Sequence, residues 1–127
     1  MTVLVTDKGF TLDDWVAKYG GTIALDLASG VDPTTLNIPD TVQMIRVDFP
    51  SFADGRGFTI ARQLRLRGYT GRLRARGHVI ADQYAMARRA GFDEVEIDNS
   101  LAQRQPEPDW IARSDWQTGD YQARLRG

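Results

Sequence analysis

Residues 72–98, RLRARGHVIADQYAMARRAGFDEVEID, decide how this chain is read. The stretch opens on a strict alternation, with Arg72, Arg74 and Arg76 on one parity and Leu73 and Ala75 on the other. It closes on a second, with Glu94, Glu96 and Asp98 set against Val95 and Ile97. A period of two marks a strand with one apolar face. Between these runs Ile80, Tyr84 and Ala87 recur at helical spacing, and Asp82 falls in the first turn, where the helix dipole favours an acid. Ala90-Gly91-Phe92 reads as a Schellman stop. Strand, helix and strand in that order form a βαβ unit, because parallel neighbours need a crossover between them.

Working outward, the same alternation predicts two earlier strands, at residues 22–28 and 43–49. A helix is expected before the first, from Leu12, Trp15, Val16 and Tyr19, and Gly20-Gly21 ends it. Residues 29–40 hold Pro33, Pro39 and Thr34-Thr35, so only a short helix or a loop fits there. After the second strand Thr59 is the expected cap of a helix that turns Ile60, Ala61 and Leu64 inward and stops at Gly68. Arg62, Arg65 and Arg67 fall on or near its wet side. Past Asp98, Pro106 and Pro108 interrupt the pattern, and Trp110, Trp116 and Tyr121 follow at no clean period. Residues 106–127 are therefore expected to form an aromatic tail, packed on the domain or on a second subunit.

Sorting the four strands by parity gives one apolar face: Ile23, Leu25 and Leu27, Ile45 and Val47, Leu73 and Ala75, Val95 and Ile97. The other face carries Asp26, Arg46 and Asp48, Arg72, Arg74 and Arg76, and Glu94, Glu96 and Asp98. A parallel sheet covered by helices on both sides reads as continuous apolar runs. This one has an apolar side for its helices and a charged side expected to meet water, a pore or a partner. The fold class that follows is α/β, built from consecutive parallel βα units. Two forms satisfy it: a half (βα) barrel, open or closed by a second copy, and an open parallel sheet with helices on one face.

The 127 residues suit one domain, 1–127, and 42% hydrophobic with 26% charged residues is an ordinary globular balance. Met1 leads into Thr-Val-Leu-Val without the pattern of a secretory leader, so a soluble, cytoplasmic protein is expected. No membrane partner is expected either, as no apolar run is long enough to span one. The absence of cysteine excludes disulfides and any thiolate-held cluster or zinc, and no metal site is expected from carboxylates and a single histidine. A net charge of −1 speaks against a nucleic-acid partner.

Barrel precedent puts function at the carboxyl ends of strands, where Asp48, Arg76 and Asp98 fall, with His78 just beyond. Asp48, Asp98 and His78 are the candidate acid–base groups. Arg56, Arg74 and Arg76 are the candidate anion-binding groups, since guanidinium binds oxyanions in bidentate fashion. Asp54, Gly55 and Gly57 form the loop around Arg56, with free amides at the next helix start, and Asp82, Gln83, Arg46 and Glu96 complete the supporting network. Each has a plainer reading. Arg56 pairs with Asp48 or Asp54 in a tight turn, the arginine strand forms an ion lattice with Glu94 and Glu96, His78 is a surface or capping group, and Asp82 and Gln83 belong to a helix start.

Residues 52–92, from Phe-Ala-Asp-Gly-Arg-Gly-Phe-Thr to Arg-Ala-Gly-Phe, resemble the bacterial family called domain of unknown function 934. The resemblance extends over most of the chain, through Asp54, Gly55, Arg56, Gly57, Arg62, Leu64, Arg65, Gly68, Leu73, Arg74, Gly77, Asp82 and Gln83. Its members are usually encoded beside assimilatory sulfite or nitrite reductase and are often labelled oxidoreductases. The resemblance thus implies an accessory protein of sulfite or nitrite reduction that binds the reductase or its small oxyanion. It transfers no role to any residue, and it leaves the cofactor unnamed. Two other expectations stand beside it: an enzyme acting on a small anionic metabolite at the strand ends, and a structural or dimerisation module, a homodimer included.

Overall fold

The structure, a computed structural model, describes residues 2–12 and 24–117. Six strands form one sheet: β1 (Thr2–Thr6), β2 (Gly9–Thr11), β3 (Leu25–Leu27), β4 (Met44–Phe49), β5 (Arg72–Gly77) and β6 (Glu94–Asp98). Their spatial order is β2-β1-β6-β5-β4-β3. The run β3-β4-β5-β6 is parallel and follows chain order, as consecutive βα units require. The amino-terminal hairpin extends it antiparallel, with Thr2 facing Asp98 and Val5 facing Val95. With β2 and β3 at its two ends, the sheet is open and mixed among the described residues.

This hairpin is a correction to the sequence reading, in which residues 2–11 form no strand. Its cause is plain in retrospect. Thr2-Val3-Leu4-Val5-Thr6 is rich in β-branched residues, and Asp7-Lys8 followed by Gly9 at φ +108° turns the chain. β3 is shorter than the expected 22–28, and the expected first helix lies mostly outside the described residues. Residues 29–43 are loop and turn, as their prolines dictate.

Helix α1 (Arg56–Leu66) starts three residues ahead of the expected Thr59 cap, with Gly55 in the capping position. It buries Gly57, Ile60, Ala61 and Leu64, a spacing that places all four on one face. Gly57 has a specific reason: a Cβ there would run into the Phe49 ring, so glycine lets α1 lie close on β4. Arg65 is less wet than expected. It ties the helix end to the next turns, donating to the Gly91, Tyr69 and Gly71 carbonyls and pairing with Asp93.

A 3-10 turn (Ala81–Gln83) leads into α2 (Tyr84–Ala90), which buries Tyr84, Ala87 and Ala90. Gly91 at φ +121° ends it, and Phe92 N–H donates to the Ala87 carbonyl at 3.0 Å, the Schellman pattern. Short helices α3 (Asn99–Arg104) and α4 (Glu107–Ile111) occupy the segment expected to be irregular. The aromatics there pack on the domain: Trp110 is buried edge-on to Tyr84 at 6.1 Å, and Trp116 lies under the Arg88 guanidinium at 4.7 Å. Tyr121 lies outside the described residues.

The apolar face of the sheet and the helices enclose one core, in which Val5, Ile45, Val47, Leu73, Ala75 and Val95 are fully buried. Burying each of the valine, leucine and isoleucine side chains contributes about 1.5–3 kcal/mol. The centre of the charged face is not wet, as the sequence had suggested. Arg74 is 0% exposed, Glu94 5% and Glu96 4%, and Leu4 and Met44, both buried, share that face. A polar sheet face can leave water when its charges satisfy one another.

Candidate functional site

The charged face is a connected ion network. Arg74 donates from Nε to Glu94 Oε2 at 2.6 Å and from Nη1 to Glu96 Oε1 at 2.7 Å. Arg72 Nε takes the other Glu94 oxygen at 2.7 Å. Arg46 grips Asp26 with two bonds, 2.6 and 2.9 Å, and stands 3.6 Å from Glu96 Oε1. Those bonds, with Asp26 foremost, raise the guanidinium's affinity for its proton further. Arg46 and Arg74 are cross-strand neighbours of like charge, a destabilising pair on its own. Glu96 between them removes the conflict.

At the carboxyl end of the parallel strands the network frays into a cleft of about 310 Å³, walled by β4, β5, β6 and their following residues, with Thr2 of β1 at its side. Asp48, Arg76, His78, Glu96 and Asp98 all line it. The fold thus brings together the three candidate acid–base residues and one of the three candidate anion-binding arginines. Gly77 makes this junction possible. Its φ is +117°, and a Cβ would sit 2.6 Å from the Phe49 carbonyl oxygen, the same oxygen that accepts from His78 N–H at 2.9 Å. Glycine alone lets β5 end so close to β4 and deliver His78 to the cleft.

The cleft residues differ in what they are free to do. Arg76 has a half-exposed side chain and, among the described residues, a single loose contact, Nε to Glu96 Oε2 at 3.5 Å. Asp48 is exposed and makes no hydrogen bond or ion pair among the described residues, although it faces Arg76 in register across β4 and β5. Asp98 is committed. Its Oδ1 caps α3, accepting from Leu101 N–H at 2.8 Å and from the Ser100 hydroxyl at 2.9 Å. The Leu101 amide first, then Ser100 and the charges of His78 and Arg104, hold its carboxyl below the ordinary range. A carboxylate stabilised in this way is a poor proton acceptor.

The other arginines named from sequence lie elsewhere. Arg74 is interior. Arg56 is the first residue of α1, outside the cleft walls, and is clamped to the preceding turn: Nε and Nη2 bind the two Asp54 oxygens at 2.9 and 2.7 Å, and Nη2 also reaches Ser29. The Arg56 side chain, then its backbone amide, hold the Asp54 carboxyl well below the usual carboxylate range. Gln83 joins two loops at this end, accepting from Ile80 N–H and donating to the Phe52 carbonyl at 2.7 Å. Asp82 pairs with Arg113.

A larger cavity, about 570 Å³, opens at the amino ends of β4 and β5, between residues 38–43 and 67–72. Its arginines are engaged, Arg67 with the Pro33 carbonyl and Arg72 with Glu94, and no candidate acid–base residue reaches it. Among the described residues no cluster of histidines and carboxylates is placed to hold a metal, and no helix is long and apolar enough to cross a membrane. Thr2 is a polar cleft residue the sequence reading missed, beside Phe49, Pro50 and Ile97. Only the pairing of β1 with β6 brings it there.

The fold and the cleft define an α/β protein with a mostly parallel six-stranded sheet and a polar cleft at the strand carboxyl ends. The chain belongs to a family of bacterial proteins of unknown function (DUF934), whose family model matches residues 24–127. The β1–β2 hairpin lies ahead of the matched stretch. No curated protein and no solved structure matches the chain.

Proposed function

We propose that this protein binds a small anion in the carboxyl-end cleft, with Arg76 as the anchoring cation and His78 and Asp48 beside it for hydrogen bonding or proton transfer. One observation carries the reading: Arg76 is the arginine of the charged face that is half exposed and, among the described residues, held by a single 3.5 Å contact, and it lines the cleft. Arg46 and Arg74 are spent on carboxylates at 2.6–2.7 Å. A guanidinium that exchanges a loose partner for a bidentate oxyanion gains two charge-assisted hydrogen bonds.

The family resemblance suggests assimilatory sulfite or nitrite reduction as the setting, with the chain as an accessory protein. Sulfite and nitrite are therefore the first anions to try, with sulfate and phosphate alongside. The test is a thermal-shift titration of wild type and Arg76→Gln. Stabilisation of wild type that grows with anion concentration and is absent from a folded Arg76→Gln supports the reading. An equal shift in both proteins removes it.

The same cleft supports a second reading as an enzyme on a small anionic metabolite. His78 and Asp48, both without a side-chain hydrogen bond among the described residues, are the groups that would move the proton. Turnover that disappears in Asp48→Asn or His78→Gln while anion binding persists separates catalysis from binding.

A further inference from the structure

Asp48 and Arg76 are opposite charges in register on adjacent strands, about 4.8 Å apart at the backbone as such neighbours are. A pair so placed is within reach of a favourable cross-strand ion bridge. Here the bridge does not form. Arg76 turns toward β6 and Glu96 at 3.5 Å, while the Asp48 carboxylate stays exposed and has no partner among the described residues. Both line the same cleft, so it presents an acceptor and a cation side by side, each with hydrogen-bonding capacity left over. A bare oxyanion uses only half of this arrangement. Placed on Arg76, it also meets the Asp48 charge from the neighbouring strand and those of Glu96 and Asp98 on the cleft wall. Such like-charge proximity works against a ligand that is anionic throughout.

Resting on the reading of this cleft as a small-anion site, we infer that its ligand is amphoteric: a small acid whose oxyanion binds Arg76 and whose ammonium group binds Asp48. A cleft of about 310 Å³ accommodates a molecule the size of an amino acid. The ammonium supplies a counter-charge to a carboxylate that has no partner among the described residues and turns the local repulsion into attraction. Asp48 is then the specificity-determining residue and Arg76 the anchor.

A matched pair of probes tests this with the full chain: propionate and β-alanine, which differ by one ammonium group, titrated by two-dimensional NMR at neutral pH. β-Alanine is expected to bind about tenfold or more tighter than propionate, the scale of one charge-assisted hydrogen bond. Asp48→Asn should erase that difference, and Arg76→Gln should weaken both ligands. In wild type the perturbed amides should cluster around Asp48, Arg76 and His78, a readout that needs no variant to fold. Equal affinity for the two probes, or discrimination that survives in Asp48→Asn, overturns the inference and leaves the small-anion reading standing. So does binding of sulfate or sulfite through Arg76 with neither probe bound. Binding that maps outside the cleft, or no Arg76-dependent binding of any anion, overturns both.

Discussion

Arg74 Nη1 lies 2.7 Å from Glu96 Oε1 with both side chains out of solvent, and its Nε lies 2.6 Å from Glu94. Removing this guanidinium leaves two carboxylates buried without their main partner. Arg74→Met is therefore expected to lower stability by about 3–5 kcal/mol, read from urea denaturation. A loss under 1 kcal/mol would show that the network relaxes or admits water, and that Arg74 is not its centre.

Gly77 occupies a backbone region that L side chains avoid, with the Phe49 carbonyl where a Cβ would go. Gly77→Ala should cost about 1–3 kcal/mol in strain and push β5 away from β4 at the cleft. Paired thermal melts and amide exchange at His78 check this. An unchanged melting temperature would mean that the strand end is loose enough to adapt.

Tyr84 hydroxyl donates to Asp7 Oδ1 at 2.5 Å, and Arg88 and Trp116 bind the same carboxylate, joining the hairpin turn to α2. Burial pushes the Tyr84 hydroxyl up, and the Asp7 bond pushes it further. Burial of Asp7 opposes its ionisation, but Tyr84, Arg88 and Trp116 outweigh that and hold its carboxyl below the ordinary 3.8. The folded value lies below the unfolded one, so this contribution is complete above about pH 4 and disappears as pH falls through the folded value. Tyr84→Phe should cost about 2 kcal/mol at neutral pH and flatten the acid limb of the stability profile. An acid limb identical to wild type would assign that limb to other carboxylates.

Asp98 caps α3 with a carboxyl also held below 3.8, so its contribution too is present above that value and lost on acidification. Asparagine caps nearly as well as aspartate, whereas alanine does not cap. Asp98→Asn should keep most of the neutral-pH stability and lose the acid dependence, while Asp98→Ala should lose the cap at every pH. Melting curves at pH 3 and pH 7 distinguish them, and equal effects of the two substitutions would refute the capping role.

The parallel half of the fold is legible in the sequence because its strands alternate strictly. Arg72 to Arg76 and Glu94 to Asp98 announce both faces, and Gly68 and Gly91 mark helix ends by backbone necessity. The hairpin is not legible in the same way. Besides its local pairing with β2, β1 joins the sheet through Thr2 to Val5 against a strand some ninety positions away, a contact that periodicity cannot report. The start of α1 at Arg56 was hidden because Gly55 caps it without a side-chain bond. Among the candidate residues, Asp48, Arg76, His78 and Asp98, grouped by strand-end position, line one cleft. Parity alone could not separate Arg74, locked between two glutamates, from Arg76, two residues on and half exposed. That distinction depends on depth, which the alternation does not encode.

The placement of β1 against β6 also sets an order of assembly. Among the described strands β1 is synthesised first, and although β2 follows it at once, its other partner, β6, is synthesised last. While translation proceeds, β3, β4 and β5 can join as each follows its neighbour, but the Val3 and Val5 edge has no native place to go. For that interval the nascent chain carries a short β-prone segment open to non-native pairing, and the Thr2 side of the cleft cannot exist until residue 98 has left the ribosome.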